Sequence, residues 1–223
     1  RAAMYIVQRK DRKAGPGPCL LYGYGGFNIS ILPFYQPWFH AFVEAGGTLV
    51  VPALRGGAEF GEAWHQAGMK DRKERVFLDM EEAAEFLIEK NITRPEWLAV
   101  HGRSNGGLLV GAVLTRRPDL FAVALPSVGV LDMMRFHKFT IGHAWRSEYG
   151  DPDDSLDAMS LLRYSPLHNL NFNTHYPATL VLTADHDDRV VPSHSYKFTA
   201  AMQQAASAHK PVLIRIDTSV GHG

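Results

Sequence analysis

Six residues, Gly102-Arg103-Ser104-Asn105-Gly106-Gly107, hold the strongest chemical signal in the chain. The serine stands in a G-x-S-x-G pattern between an apolar strand candidate at 98–101 and a helix candidate at 108–116. In a strand–turn–helix setting, glycines two before and two after the serine allow a sharp turn. Such a turn lifts the Ser104 Oγ clear of a sheet, and the helix N-terminus aims its free amides at the same spot. The Asn105 N–H is then placed to receive a developing oxyanion. The chemistry on offer is nucleophilic attack on an acyl carbon. The bare pattern arises readily in a chain with 20 glycines, so the flanking strand and helix carry the reading.

A serine nucleophile needs a general base, and the base needs an orienting carboxylate. In strand–turn–helix hydrolases the chain order is serine, acid, histidine. The apolar run ATLVLTA (178–184) ends in Asp185-His186-Asp187-Asp188-Arg189-Val190-Val191-Pro192. Asp185, Asp187 and Asp188 compete for the acid role, and spacing alone does not choose among them. Each could equally be a solvated loop residue or a helix cap. His222 follows the last apolar run, flanked by Gly221 and Gly223, and its third place in the order makes it the preferred base. A metal is the other use for His186, Asp187, Asp188 and His194. The chain has no H-E-x-x-H, no cysteine pair and no EF-hand loop, so no metal is expected.

The elements that must position these groups are short strands alternating with longer helices. Strands are predicted at 18–24, 48–54, 98–101, 121–125, 178–184 and 211–217, and the first residues, AAMYIVQRK, alternate like a further strand. Helices are predicted at 37–45, 74–90, 108–116 and 194–206. The 74–90 helix places Val76, Phe77, Met80, Ala84, Phe86 and Leu87 on its apolar side. The stretch 11–18 reads as a turn, 55–68 as a glycine-rich loop and 131–170 as irregular. The runs LVV, LVL and VLI fit strands covered on both faces, hence a mostly parallel sheet inside an α/β fold. Chemistry in such sheets gathers at the carboxyl ends of strands, here after Tyr24, His101, Ala184 and Asp217.

The 223 residues suit one domain, 1–223, and 46% apolar with 21% charged residues is ordinary globular composition. Basic and acidic side chains balance at 23 each, which argues against a broad nucleic-acid surface. No apolar run approaches the ~18 residues needed to span a bilayer, and the N-terminus does not read as a signal peptide. Cys19 is alone, so no internal disulfide forms, which points to a reducing compartment. The strand-like start and the ending on Gly221-His222-Gly223 suggest a piece of a longer protein.

Several segments, in order along nearly the whole chain, resemble the prolyl oligopeptidase family of serine peptidases. They are YGYGGFNIS (22–30), RGGAEFGEAWH (55–65), SNGGLLV (104–110), RPDLF (117–121), FHKFTIGHAW (136–145), YSPLHN (164–169), TADHDDRVVP (183–192) and the final GHG. The resemblance implies an α/β-hydrolase fold, incomplete at both termini. It implies Ser104 as nucleophile, Asp187 as acid and His222 as base, with the Tyr24 hydroxyl as a second oxyanion donor beside the Asn105 amide. It implies Arg189 as an anchor for a peptide carbonyl and Trp145 as a stacking face for proline. Phe27, Val130, Tyr149 and Val190 would complete a small apolar pocket. An indole face and aliphatic walls suit a pyrrolidine ring, whereas cleavage after arginine or lysine calls for a carboxylate, and none of these positions is acidic.

The implied activity is cleavage of short peptides on the carboxyl side of proline, without cofactor or metal, in the cytoplasm. The implied partners are proline-containing peptides and the β-propeller domain typical of the family, with no nucleic acid and no membrane. Arg103 departs from the usual glycine before the nucleophile and resembles the branch that cuts after basic residues. Leu78 stands where an acidic residue is expected. The alternatives are a basic-specific oligopeptidase or esterase of the same fold, or a non-catalytic binding fragment.

Overall fold

The computed structural model describes residues 3–32, 34–172, 174–206 and 210–222. Gly223, the last residue of the GHG motif, lies outside them. Among the described residues, seven strands form one sheet in the order β1-β3-β2-β4-β5-β6-β7. They are β1 (Met4–Val7), β2 (Cys19–Tyr22), β3 (Thr48–Pro52), β4 (Leu98–Arg103), β5 (Val123–Ser127), β6 (Ala178–Ala184) and β7 (Val212–Asp217). Only β1 runs antiparallel, pairing Met4 with Pro52 and Val7 with Leu49 at one edge. The other pairings are parallel, so every crossover returns the chain across a face.

Side chains of the central strands alternate between two cores. Leu20, Leu49 and Val51 point to one face, where helix α1 (Pro37–Glu44) adds Phe39 and Val43. Cys19, Leu21 and Val50 point to the other, beneath α3 (Glu74–Glu89) and α4 (Asn105–Arg116). Helices therefore cover both faces. α4 is buried from Asn105 to Thr115, a helix apolar nearly all round, as fits one sandwiched between the sheet and α3. On α3, Val76, Phe77, Met80, Ala84 and Leu87 are buried as expected, but Phe86 turns outward. Leu78 is exposed as well, so its apolar side chain leaves the packing of α3 untouched.

Two stretches expected to be irregular carry helix. The 55–68 loop contains α2 (Glu62–Gln66), and 131–170 contains α5 (Arg146–Tyr149) and α6 (Ser155–Tyr164). The last helix, α7 (Ser193–Ala205), and β7 complete the order. The Cys19 thiol is buried beneath α3, and burial pushes it up to about 12. A protonated, enclosed thiol is inert in any compartment, so this residue carries no information about redox surroundings.

Candidate active site

Ser104 is the single residue between β4 and α4. Its backbone sits at φ 59° and ψ −118°, in left-handed space that a residue with a Cβ rarely adopts. Hydrogen bonds fix it there. Ser104 N donates to Ser127 O (2.9 Å) on β5, and Ser104 O accepts from Gly107 N (2.8 Å) and Leu108 N (3.1 Å). The neighbouring glycines serve a different end from the one their sequence pattern suggested. Neither Gly102 nor Gly106 has positive φ; the sharp torsion belongs to Ser104 itself. A Cβ on Gly102 would lie 2.2 Å from Gly106 O, and one on Gly106 would lie 2.4 Å from Gly23 O. The glycines let β2, β4 and the start of α4 touch backbone to backbone.

That close approach sets the rest of the site. Asn105 is the first residue of α4, where amides have no intrahelical acceptor and the helix dipole is positive. Its buried side chain acts as a brace. Asn105 Nδ2 donates to Tyr24 O (2.5 Å), and Oδ1 accepts from Tyr149 OH (2.9 Å). Tyr24 follows the carboxyl end of β2. Burial pushes its phenol up to about 12, with the Glu148 charge adding to the rise, so the hydroxyl stays a neutral donor at physiological pH.

In the loops that follow β6 and β7, His222 Nδ1 lies 2.7 Å from Asp187 Oδ2. Asp187 is only 2% exposed, and its other oxygen accepts from Arg189 N (3.0 Å) and Val190 N (2.9 Å). The competing carboxylates lie elsewhere. Asp185 pairs with His186 at 2.6 Å, which holds it below the usual carboxylate range, and Asp188 is exposed. The Arg103 guanidinium donates to the His222 carbonyl, tying the residue before Ser104 to the histidine loop.

The four residues weighed as metal ligands are not gathered. His186 is exposed, while His194 is buried, pushed down to about 4 by desolvation, and accepts from Asp132 N (3.1 Å) as a core histidine. Among the described residues, His137, Asp151 and Asp153 do cluster. The Arg146 guanidinium already lies 3.1 Å from Asp151 Oδ1 and 3.4 Å from Asp153 Oδ2, so a cation occupies that position within the protein itself.

A cavity of about 250 Å³ opens beside Ser104. Tyr24, Phe27, Val130, Trp145, Tyr149 and Arg189 line it together with Ser104. Phe27 meets Tyr149 edge to face at 5.4 Å, and the Trp145 ring stacks over Phe136 at 6.4 Å. Ile29 and Ile141 also form walls and were missed in the sequence. Both sit in segments already singled out, YGYGGFNIS and FHKFTIGHAW, which was the available signal. Val190 is not part of this wall. Its side chain is buried in the core, and its N–H is committed to Asp187. Among the described residues, no carboxylate lines the cavity and Arg189 is its one charged residue.

Known proteins resemble this one in sequence and in fold. The sequence profile of the prolyl oligopeptidase family matches residues 34–223. A prolyl endopeptidase from Elizabethkingia miricola is 51% identical over 222 residues, 99% of this chain and 32% of the relative. Prolyl oligopeptidase B from Galerina marginata superposes with a TM-score of 0.94 at 42% identity, over 98% of this chain and 32% of that one. Oligopeptidase B from Leishmania major superposes with a TM-score of 0.95 at 34% identity, over 99% and 31%. The chain spans about a third of the length of the relatives it matches. An α/β-hydrolase sheet, a serine on a strained strand-to-helix turn and a profile matched over most of the sequence lead to one conclusion: the chain belongs to the prolyl oligopeptidase family.

Proposed function

We propose that the protein is a serine peptidase that cleaves short peptides on the carboxyl side of proline. The observation that carries this is one juxtaposition. Ser104, on its strained turn, shares with Tyr24 a cavity walled by Trp145, Phe27 and Tyr149 that holds no carboxylate. Ser104 attacks the carbonyl after proline and His222 takes its proton, while Asp187 holds the imidazole tautomer through the 2.7 Å contact. The Asn105 amide and the Tyr24 hydroxyl stabilise the tetrahedral oxyanion. His222 then protonates the leaving amine, and water hydrolyses the acyl-enzyme. Arg189 holds a peptide carbonyl, and Trp145 stacks on the pyrrolidine ring.

The 223 residues serve as one peptidase domain that works with a β-propeller domain of the full-length protein. The cytoplasmic location rests on the family likeness alone. No helix among the described residues is long and apolar enough to cross a membrane.

Removing the phenol tests the oxyanion role. Tyr24→Phe should lower kcat by about 10²- to 10³-fold with little change in KM, the usual loss for one oxyanion donor. A fall of less than about threefold would remove Tyr24 from that role.

Likeness to oligopeptidase B and the arginine at position 103 favour a second reading, cleavage after basic residues. Yet Arg103 donates to the His222 carbonyl and is not part of the cavity wall. The deciding measurement compares matched blocked dipeptide amides carrying proline, alanine or arginine before the scissile bond, using the full-length protein. Preference for proline is expected. Preference for arginine would establish the basic-specific reading, and absence of all turnover and serine labelling would leave a binding module.

A further inference from the structure

We infer that Glu148 is a positioning residue: a buried carboxylate that holds the Tyr24–Phe27 segment and the α5 aromatic wall in one arrangement. This rests on the peptidase reading above. The segment needs holding because its torsions are costly. Phe27 and Asn28 both have positive φ, 55° and 54°, and neither is glycine. Such conformations persist only where neighbours over-determine them.

Glu148 supplies that constraint from α5, far along the chain. Its Oε1 accepts from Phe27 N (3.0 Å) and from Lys73 Nζ (3.3 Å), and its Oε2 lies 2.9 Å from His65 Nε2. Lys73 Nζ donates also to Gly25 O (2.9 Å), so the segment is gripped at Gly25 and again at Phe27. Both charged side chains are almost wholly enclosed, Lys73 1% and Glu148 4% exposed. A side chain on Gly26 would meet Lys73 Nζ at 2.8 Å, so the lysine has no slack. The residue after Glu148 is Tyr149, whose hydroxyl reaches Asn105 and, through Asn105 Nδ2, the Tyr24 carbonyl. A closed circuit of contacts thus runs from the oxyanion tyrosine through the pocket wall to the start of α4.

Electrostatics agree with the geometry. Burial lowers the Lys73 ammonium, and the Glu148 charge opposes that fall. Burial also pulls the His65 imidazole down, but Glu148 and Glu62 outweigh it and leave His65 above its usual value. None of these groups lines the cavity itself, so Glu148 acts through Phe27, Tyr149 and Tyr24 rather than on substrate.

The test uses the full-length protein and two variants. Glu148→Gln leaves Lys73 as an uncompensated buried charge and carries a folding risk. The pair Glu148→Met with Lys73→Met replaces both ions by apolar side chains, an exchange that is often neutral for stability. The double variant frees the Phe27 N–H, the Gly25 carbonyl and His65 Nε2. It should keep a cooperative thermal transition near wild type. Its kcat on a prolyl amide should fall about 10- to 100-fold, the cost of misplacing a reacting group by an ångström, with KM changed less than about threefold. The proline-to-alanine preference should fall with it, which a purely structural role would not produce. A folded double variant with wild-type kcat and preference would overturn the inference. If the double variant fails to fold, Glu148→Gln measured below its own melting temperature decides by the same two readouts. Absence of turnover in the wild type would sink the peptidase reading and this inference together, whereas wild-type turnover with unaffected variants would sink this inference alone.

Discussion

Ser104→Ala should lower turnover of a prolyl amide by about 10⁶-fold, because on the proposed assignment it removes the nucleophile and disables the whole proton-transfer unit at once. The loss should be in kcat, since Trp145, Phe27 and Tyr149 still form the cavity proposed to receive the substrate. The fold should not register the change. The bonds that fix residue 104 are all made by its backbone, to Ser127 O and from Gly107 and Leu108 N–H, and alanine keeps them. Stability should therefore stay within about 0.5 kcal/mol of wild type, the usual range for changes that remove no buried contact. Intact-protein mass spectrometry after exposure to a serine-directed phosphonate checks the assignment. Wild type should gain one adduct and the variant none. An adduct retained on another residue would mean that a different nucleophile does the work.

The second large effect concerns Asp187. If Asp187 is the proposed triad acid, Asp187→Asn should cost about 10⁴ in kcat, the penalty when an orienting carboxylate becomes an amide and the histidine takes the wrong tautomer. The structure says how the amide would sit. Oδ1 accepts from both Arg189 N and Val190 N, so an amide oxygen would be retained there. The NH₂ group would then face His222 Nδ1, where a donor meets a donor unless the imidazole moves its proton to Nε2. That proton would take the lone pair needed to receive hydrogen from Ser104. The loop should stay folded, because its backbone bonds survive. Asp185→Asn and Asp188→Asn are the controls. Asp185 is tied to His186 and Asp188 faces solvent, so both variants should remain within a few-fold of wild type. A large loss in either, with Asp187→Asn nearly normal, would transfer the acid role.

How far these features could be read from the sequence depends on how local their causes are. The strand at 178–184 and the helix from Glu74 stand where the apolar pattern put them, although alternate residues of the strand are only half-buried and Phe86 of the helix is exposed. β4 and β5 run further than expected. Gly102 and Pro126 look like strand breakers, yet each pairs with the other across parallel strands, where tertiary context outweighs propensity. α6 was invisible for a physical reason. Leu156, Met159 and Leu162 are 70%, 58% and 47% exposed, so its apolar residues spread over the outer side and blur the stripe that marks a helix. Only its N-cap is plain in the structure, Asp154 accepting from Leu156 N and Asp157 N. The serine turn was legible because its glycines recur at fixed offsets. The choice among three aspartates was not, because burial against His222 is decided by a strand more than twenty residues further on. The Lys73–Glu148 pair joins residues 75 apart and has no local signature.

The order of the groups along the chain has a consequence for biosynthesis. β4 and the serine turn lie in the middle of the sheet, whereas β7, which leads to His222, follows them along the chain and pairs with β6. At a translation rate of roughly 5–20 residues per second, the histidine follows the serine by about ten seconds. Through that interval the emerging chain carries Ser104 without His222. On the proposed assignment, a ribosome-bound peptidase is silent until β7 has docked and brought His222 into place.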